Sequence, residues 1–282
     1  MKKHAYIINL LRYLFMIALG IILLFPLVIM FFSSFKSNSE MFGTLKILPR
    51  EFLTDGYRIG WNGMGAGSIS FGKYLFNTIF LVIPIVIGTV LSSLVVAYGF
   101  SRFEFPFKRA LFSLMMSFLM LPAAVLIVPR YLVFSSLGWI DSYLPFWVPA
   151  FFATSSFFIY MFIQFFRGIP YDLDEAAYID GCSSFGILTR ILTPLCVPAI
   201  ISASIFQFIW GWNDFFNQNI YISSPAKYTV SLALKMAMDA STGINWPTVL
   251  AMSVVSIIPS TIVFLTLQKY FVEGMATSGL KG

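Results

Sequence analysis

Asp172-Leu173-Asp174-Glu175-Ala176-Ala177-Tyr178-Ile179-Asp180-Gly181 is a polar, acidic island in an otherwise apolar chain, and it continues through Cys182 to Pro194. Asp172, Asp174, Glu175 and Asp180 belong to a total of only 12 carboxylates in 282 residues. Such a concentration, flanked by two long apolar runs, presents a polar surface to a partner in water.

The surroundings of the island are membrane-grade. Charged residues make up 11% of the chain, hydrophobic ones 59% and aromatic ones 18%, with a mean hydropathy of +0.85. A soluble domain carries roughly a quarter charged residues, so the chain is expected to be an all-α integral membrane protein whose apolar surface is solvated by lipid. The net charge of +6 is spread as single Lys and Arg residues between apolar runs, which suits membrane flanks and not a nucleic-acid stripe. Cys182 and Cys196 are the only cysteines and His4 the only histidine, so neither a disulfide framework nor a His/Cys metal cluster is expected. The first apolar run, Tyr13 to Phe32, is too long for a cleavable signal peptide and reads as an uncleaved span.

About twenty helical residues cross the hydrocarbon core. Six apolar runs approach that length, at 13–35, 74–100, 110–128, 143–163, 195–222 and 248–267, with Asp214 their one charged residue. Pro26, Pro84, Pro122, Pro198 and Pro259 fall inside them, so kinked helices are expected, with neighbouring helices satisfying the freed carbonyls. Arg102, Lys108 and Arg109 crowd the short loop 101–109, which favours an N-terminus inside the cell, and six spans then place both termini and the island there too. The outside segment 36–73 carries Gly60, Gly63, Gly65 and Gly67 around Trp61 and Asn62. It lacks the GxxxxGK[ST] form of a phosphate cradle and reads as a flexible external loop. The second outside segment, 221–247, is expected to turn at Ser223-Ser224-Pro225 and to form a short interfacial helix over 228–238.

Within the island, Arg167-Gly168-Ile169-Pro170 stops the fourth span. A new helix starts at Tyr171 or Asp172, its first-turn acids facing the positive end of the helix dipole. Leu173, Ala176 and Ala177 share one small-sided face suited to close approach by another protein, while Asp172, Asp174 and Glu175 fan around the other side. Gly181 supplies a position free to adopt positive φ, and Ser183 or Ser184 caps a second helix in which Phe185, Leu188 and Leu192 recur until Pro194.

Glu175-Ala176-Ala177, three residues, Gly181, nine residues, then Ile191 and Pro194 resembles the EAA loop (EAA-x3-G-x9-I-x-L-P) of binding-protein-dependent ABC importer permeases. Thr193 departs from it where the pattern has Leu. Trp210-Gly211-Trp212-Asn213-Asp214-Phe215, Tyr228-Thr229-Val230-Ser231-Leu232 and the tail from Gln268-Lys269-Tyr270-Phe271-Val272-Glu273-Gly274 through Lys281-Gly282 resemble the carbohydrate permeases of the maltose-transporter type. The resemblance covers most of the chain.

It implies a type I ABC importer transmembrane domain of six helices with a cytoplasmic coupling helix, multi-pass in the bacterial cytoplasmic (inner) membrane. The segments are then a cytoplasmic N-terminus and first helix at 1–35, an extracytoplasmic loop at 36–73, the permease domain at 74–268 with its EAA loop at 165–196, and a cytoplasmic tail at 269–282. In that family the loop docks in a groove of the ATP-binding subunit, a role that carries to Glu175, Ala176, Ala177 and Gly181. Asp174 and Asp180 are grouped with them as carboxylates that meet basic groups at the groove rim. The implied partners are a homologous second permease, with a heterodimer favoured, an ABC ATPase dimer, an extracytoplasmic solute-binding protein, membrane lipid and a sugar or oligosaccharide cargo. No cofactor is expected in this chain; it has no Walker A sequence, so ATP and Mg belong to the ATPase, and the chain itself is not an enzyme.

Trp210, Trp212, Asn213 and Asp214 suit either packing at the outer membrane boundary or lining of the translocation path, and both remain open at this point. Arg130 reads as snorkelling to headgroups, with pairing to Asp141 as the alternative. Arg102 with Phe103, Glu104, Phe105 and Pro106 reads as a short connection without chemistry. The competing functions are import of a non-sugar solute and secondary transport; ion coupling needs several ionisable groups deep in the spans, and only Asp214 approaches that.

Overall fold

The computed structural model describes the backbone of residues 2–43, 46–63, 69–238 and 243–279, and among these the side chains of residues 6–269. Every regular element among the described residues is helical. The elements used below are α1 (Lys2–Ser33), α2 (Asn38–Gly43), α3 (Asp55–Asn62), α4 (Phe71–Arg102), α5 (Lys108–Met120), α6 (Ala123–Ser136), α7 (Leu144–Phe151), α8 (Ser156–Arg167) and α9 (Asp172–Ile179). The helices Ser184–Leu195, Val197–Asn213, Phe215–Tyr221, Val230–Ala237 and Trp246–Gly279 follow.

Four stretches are long and apolar enough to cross a membrane: Tyr6–Ser33, Phe71–Arg102, Leu144–Arg167 and Trp246–Lys269. Two bent pairs bring the number to six if each is one span. The expected third run, 110–128, is therefore not one kinked helix; α5 and α6 meet at 102°. Leu121 precedes Pro122, and the proline ring drives it out of the helical region to ψ 127. Pro122 is itself extended, at ψ 129, so no helical bond bridges the corner by way of these residues. At the start of the fifth run the chain bends by 78° between Ser184–Leu195 and Val197–Asn213, with Pro194 and Pro198 on either side of Cys196, and the run is interrupted again at Asp214. Pro26, Pro84 and Pro259 instead lie inside unbroken helices. Pro84 has no N–H for the Phe80 carbonyl; one residue on, Trp147 Nε1 in α7 donates to the Leu81 carbonyl at 3.0 Å.

Cα proximity divides the chain into two compact units, Met1–Lys73 with Ala233–Ile258, and Tyr74–Leu232 with Pro259–Gly282. The division groups residues differently from the sequence segmentation, which takes 74–268 as one body. In the first unit, the described residues 46–63 pack against the end of α1. Phe35 packs edge-on and tilted against Phe31, Tyr57 and Phe52, at ring separations of 5.3, 5.2 and 5.7 Å. Gly56 lies so close to the Pro247 carbonyl that a Cβ would sit 2.9 Å from that oxygen. Gly60 is a buried residue of α3 and Gly63 ends it, whereas Gly65 and Gly67 lie outside the described residues.

The second unit holds a core in which Val90, Leu94 and Ala97 of α4 meet Phe158, Phe162 and Phe166 of α8, together with Ala177, Ile187, Leu192, Cys196 and Ala203. α4 and α7 approach closely where Gly88 faces the Phe151 ring, and Ser92 Oγ donates to the Ala150 carbonyl at 2.8 Å. Replacing Trp147 by Phe keeps the ring and removes the donor to Leu81. The substitution is expected to lower stability by about 1 kcal/mol, read from thermal unfolding of the detergent-purified chain against wild type.

Candidate functional site

α9 begins directly after Pro170. The Asp174 and Glu175 amides both donate to the Tyr171 carbonyl, at 2.8 and 3.1 Å, and three acids occupy the first turn. The helix ends in a Schellman motif: the Gly181 amide bonds the Tyr178 carbonyl at 3.0 Å and the Cys182 amide the Ala177 carbonyl at 2.9 Å. That closure requires a left-handed residue, and Gly181 supplies it at φ +77. Ser183 then caps the second helix, its Oγ accepting from the Gly186 amide at 3.2 Å. A π-helical turn, Ile187–Leu192, follows. Thr193, the departure from the EAA pattern, donates both its amide and, at 2.7 Å, its hydroxyl to the Leu188 carbonyl of that widened turn.

The two faces of α9 differ from the face expected from its sequence. Ala177 is buried in the chain's own core with Ile187 and Leu188, and Asp174 is buried beside it, whereas Leu173 and Ala176 are exposed. Positions i and i+3, Asp174 and Ala177, hold the helix down. Glu175, Ala176, Asp180 and Gly181 face outward, joined by Tyr178 and by Ile179 and Phe185 at 87% and 72% exposure.

Asp174 therefore belongs to an internal site. Its Oδ2 lies 2.6 Å from Arg102 Nε at the end of α4, with the two side chains only 9% and 4% exposed. The N–H does not point along that line, so the contact is an ion pair and not a straight hydrogen bond. Burial pushes the Asp174 carboxyl up from its ordinary value, and the Arg102 guanidinium pulls it down by less. Arg102 Nη2 also donates to the Ile169 carbonyl at 3.0 Å, and its guanidinium lies 4.2 Å from the centre of the Tyr171 ring. The Tyr171 hydroxyl donates back to the Ser101 carbonyl, and Tyr98 OH donates to the Ser184 carbonyl at 3.0 Å. The connection at Arg102, expected to carry no chemistry, is thus the fastening of the island.

A second candidate site is an open cleft of about 520 Å³ lined by Trp210, Asn213, Asp214, Gln207, Asn217 and Gln218 among others. Of the four residues expected there, Trp212 alone points elsewhere, buried against Val82 and Phe208. Asp214 caps the helix Phe215–Tyr221, its carboxylate accepting from the Asn217 amide at 3.1 Å and from Asn217 Nδ2 at 2.9 Å. Gln218 Nε2 bridges to the Gly211 carbonyl at 2.9 Å, spanning the break between the two helices, and its other end accepts from Thr229. The sequence reading missed Gln207, Asn217 and Gln218. The signal was present as polar residues at helical spacing, Gln207, Gly211, Asp214 and Gln218, in an otherwise apolar run.

The arrangement matches known proteins. Residues 88–277 match the family model described as binding-protein-dependent transport system inner membrane component. The chain belongs to that family. It is the permease subunit of an ABC importer, in which ATP hydrolysis is the work of a separate subunit. The permease is 33% identical over 272 residues to the arabinooligosaccharides transport system permease protein AraQ of Bacillus subtilis, covering 95% of this chain and 94% of the relative. It is 30% identical to the trehalose/maltose transport system permease protein MalG of Thermococcus litoralis over 94% of each chain. It is also 31% identical to the sn-glycerol-3-phosphate transport system permease protein UgpE of Yersinia enterocolitica, over 93% and 94% of the two chains. In fold it is similar to a chain in the crystal structure of a bacterial ABC transporter that imports the acidic polysaccharide alginate, with a TM-score of 0.82, 22% identity and coverage of 94% and 97%.

On the permease, segment 222–230 is pinned as firmly as the island. Asp141, left-handed at φ 56, accepts from the Ser223 and Ser224 amides at 3.0 and 2.8 Å. Its ion-pair partner is Lys227 at 2.9 Å and not Arg130, whose pairing with Asp141 was the alternative to snorkelling, because the loop fold brings residue 227 over it. Tyr143 OH donates to the Lys227 carbonyl at 2.9 Å, and Asn77 Nδ2 donates to the carbonyls of Ala226 and Tyr228, both at 2.9 Å. Partial burial would raise the Asp141 carboxyl, but the bonds from Ser224, Lys227 and Ser223 outweigh it and hold it well below the usual carboxylate range. A depressed folded value means that this stabilisation is fully present above the unfolded value of about 4 and is lost as pH falls through it towards the folded one. The stability difference between wild type and Asp141→Asn is accordingly expected to be level from about pH 8 to pH 5 and to shrink below about pH 4, as measured by thermal unfolding across pH.

Proposed function

We propose that the permease imports a sugar or oligosaccharide handed over by an extracytoplasmic solute-binding protein, and that an ABC ATPase dimer, which holds the ATP and Mg, docks on the outward half of α9. Glu175, Ala176, Asp180, Gly181 and Ile179 form the docking surface, small enough at Ala176 and Gly181 for close approach and apolar at Ile179. The acidic groups around them face basic groups of the ATPase, and both termini then lie on the cytoplasmic side of the inner membrane. Translocation needs a second, homologous permease subunit, and the likeness to maltose-type permeases favours a heterodimer.

The observation that carries the sugar reading is the chemistry of the cleft. Trp210 offers an aromatic plane for a sugar face, and Gln207, Asn213 and Asn217 offer amides for hydroxyls around the Asp214 carboxylate. Among the described residues that line it there is no Lys or Arg, which suits an uncharged polyol and disfavours a phosphate ester. The names of the arabinooligosaccharide and trehalose/maltose relatives support the same class.

Gly181→Asp and Glu175→Lys are each expected to leave the permease in the membrane while uptake of labelled oligosaccharide falls and ATP hydrolysis becomes uncoupled. Normal uptake in both variants overturns the docking assignment. For the cargo, uptake is measured with a panel of neutral labelled oligosaccharides and sugar phosphates in the presence of the cognate binding protein; competition by the phosphates alone overturns the sugar reading.

A further inference from the structure

α4 touches both candidate sites. At one end Arg102 is buried against Asp174, Ile169 and Tyr171, and at the other Asn77 and Thr78 are buried under segment 226–230. Thr78 Oγ1 accepts from the Val230 amide at 3.0 Å while donating to the Tyr74 carbonyl at 2.8 Å. From Asn77 to Arg102 the helix is about 37 Å long at 1.5 Å per residue. Between these ends Val82 packs on Trp212 and within 3.4 Å of a Cβ built at Gly211, the residue whose carbonyl Gln218 holds at the edge of the cleft. Thr229, next to Val230, bonds Gln218 from the other side.

We infer that α4 is the connecting rod of the transport cycle, with Arg102 and Asp174 as the positioning residues that fasten it to the ATPase-docking loop and Asn77 and Thr78 as those that fasten it to the cleft and the 226–230 segment. The inference rests on the docking and cleft readings above and adds the path between them. Three physical features support it. A buried ion pair flanked by a carbonyl bond and an aromatic face resists shear in any direction, unlike a hydrophobic contact, which slides. A helix transmits axial displacement without internal rearrangement, and α4 runs unbroken through its one proline, Pro84. The Schellman closure ends α9 at Gly181 and Cys182, and the Tyr178 hydroxyl bonds Ser184 Oγ at 2.9 Å, so that Tyr98, through the Ser184 carbonyl, holds both halves of the island to the same rod. Asp174 is thus removed from the carboxylates that greet the ATPase and becomes the residue through which its movement enters the membrane.

The test uses the full importer, with partner permease, ATPase and binding protein, reconstituted in proteoliposomes. Its readouts are co-purification of the ATPase, the ratio of ATP hydrolysis with and without sugar-loaded binding protein, and ATP hydrolysed per sugar transported. Arg102→Met or Asp174→Asn alone leaves a buried group unsatisfied and can misfold, so the deciding variant is the double Arg102→Met/Asp174→Leu, in which no buried charge is stranded. The double variant is expected to retain the ATPase while the stimulation ratio falls about tenfold and ATP consumed per sugar rises. Thr78→Val, isosteric and far from the docking loop, is expected to lower the same ratio with unchanged basal hydrolysis. Wild-type ratios in the double variant, or loss of ATPase binding in it, overturn the rod; the first outcome makes the pair mere packing and the second makes it part of the docking surface. Failure of the docking reading itself appears separately, as a wild-type permease that retains no ATPase.

Discussion

A backbone carbonyl without a partner costs several kcal/mol in hydrocarbon, and this permease directs many of its few polar side chains to backbone carbonyls at or near the places where its helices bend or end. Trp147 reaches the Leu81 carbonyl near Pro84, and Ser92 reaches Ala150. Thr154 reaches Pro149 where α7 stops, Thr193 reaches Leu188 at the π-turn, and Gln218 reaches Gly211 across the break at Asp214. Polar side chains of an apolar chain thus gather near several of the interruptions, and at Ala150 and Leu81 the bond also ties α4 to α7. Helical continuity supplies the rods; polar repairs supply the joints.

The island between the fourth and fifth spans is the joint with the most repairs. Its exposed residues and its buried ones alternate within a single short helix, so that Glu175 and Ile179 face water while Asp174 and Ala177 face the chain. The division follows from where the helix can be attached. Arg102 ends α4 with a charge that cannot be left unpaired once covered, and Asp174 is the acid that the first turn brings over it. Ile179 and Phe185 remain exposed beside it, apolar groups left without cover from the chain's own core.

Much of this was legible before the structure. The apolar runs, the stop at Pro170, the acidic first turn, the positive φ at Gly181 and the cap at Ser183 all follow from local rules, since each depends on residues within one or two turns. The cleft was half legible: Trp210, Asn213 and Asp214 stand out by composition, but Gln207 and Gln218 become part of it only when the helix breaks at Asp214 and folds them to one side. For Trp212 the packing alternative holds, because a single residue's rotation decides between core and cleft. The 102° corner at Pro122 shows the limit of the proline rule, which says that a helix is disturbed but not by how much.

By itself the amino-acid sequence determined the solvent, the number of apolar runs, the family and the local shape of the acidic island, because hydropathy, helix-stopping residues and a spaced motif act over short distances along the chain. Only the tertiary structure decided that Asp174 pairs with Arg102, that Asp141 pairs with Lys227, and that Asn77 holds the 226–230 segment. Those partners lie 72, 86 and about 150 residues apart. A charge or an amide in the sequence announces that it needs a partner, but which one it meets depends on how the intervening helices bend and pack, and no local rule contains that.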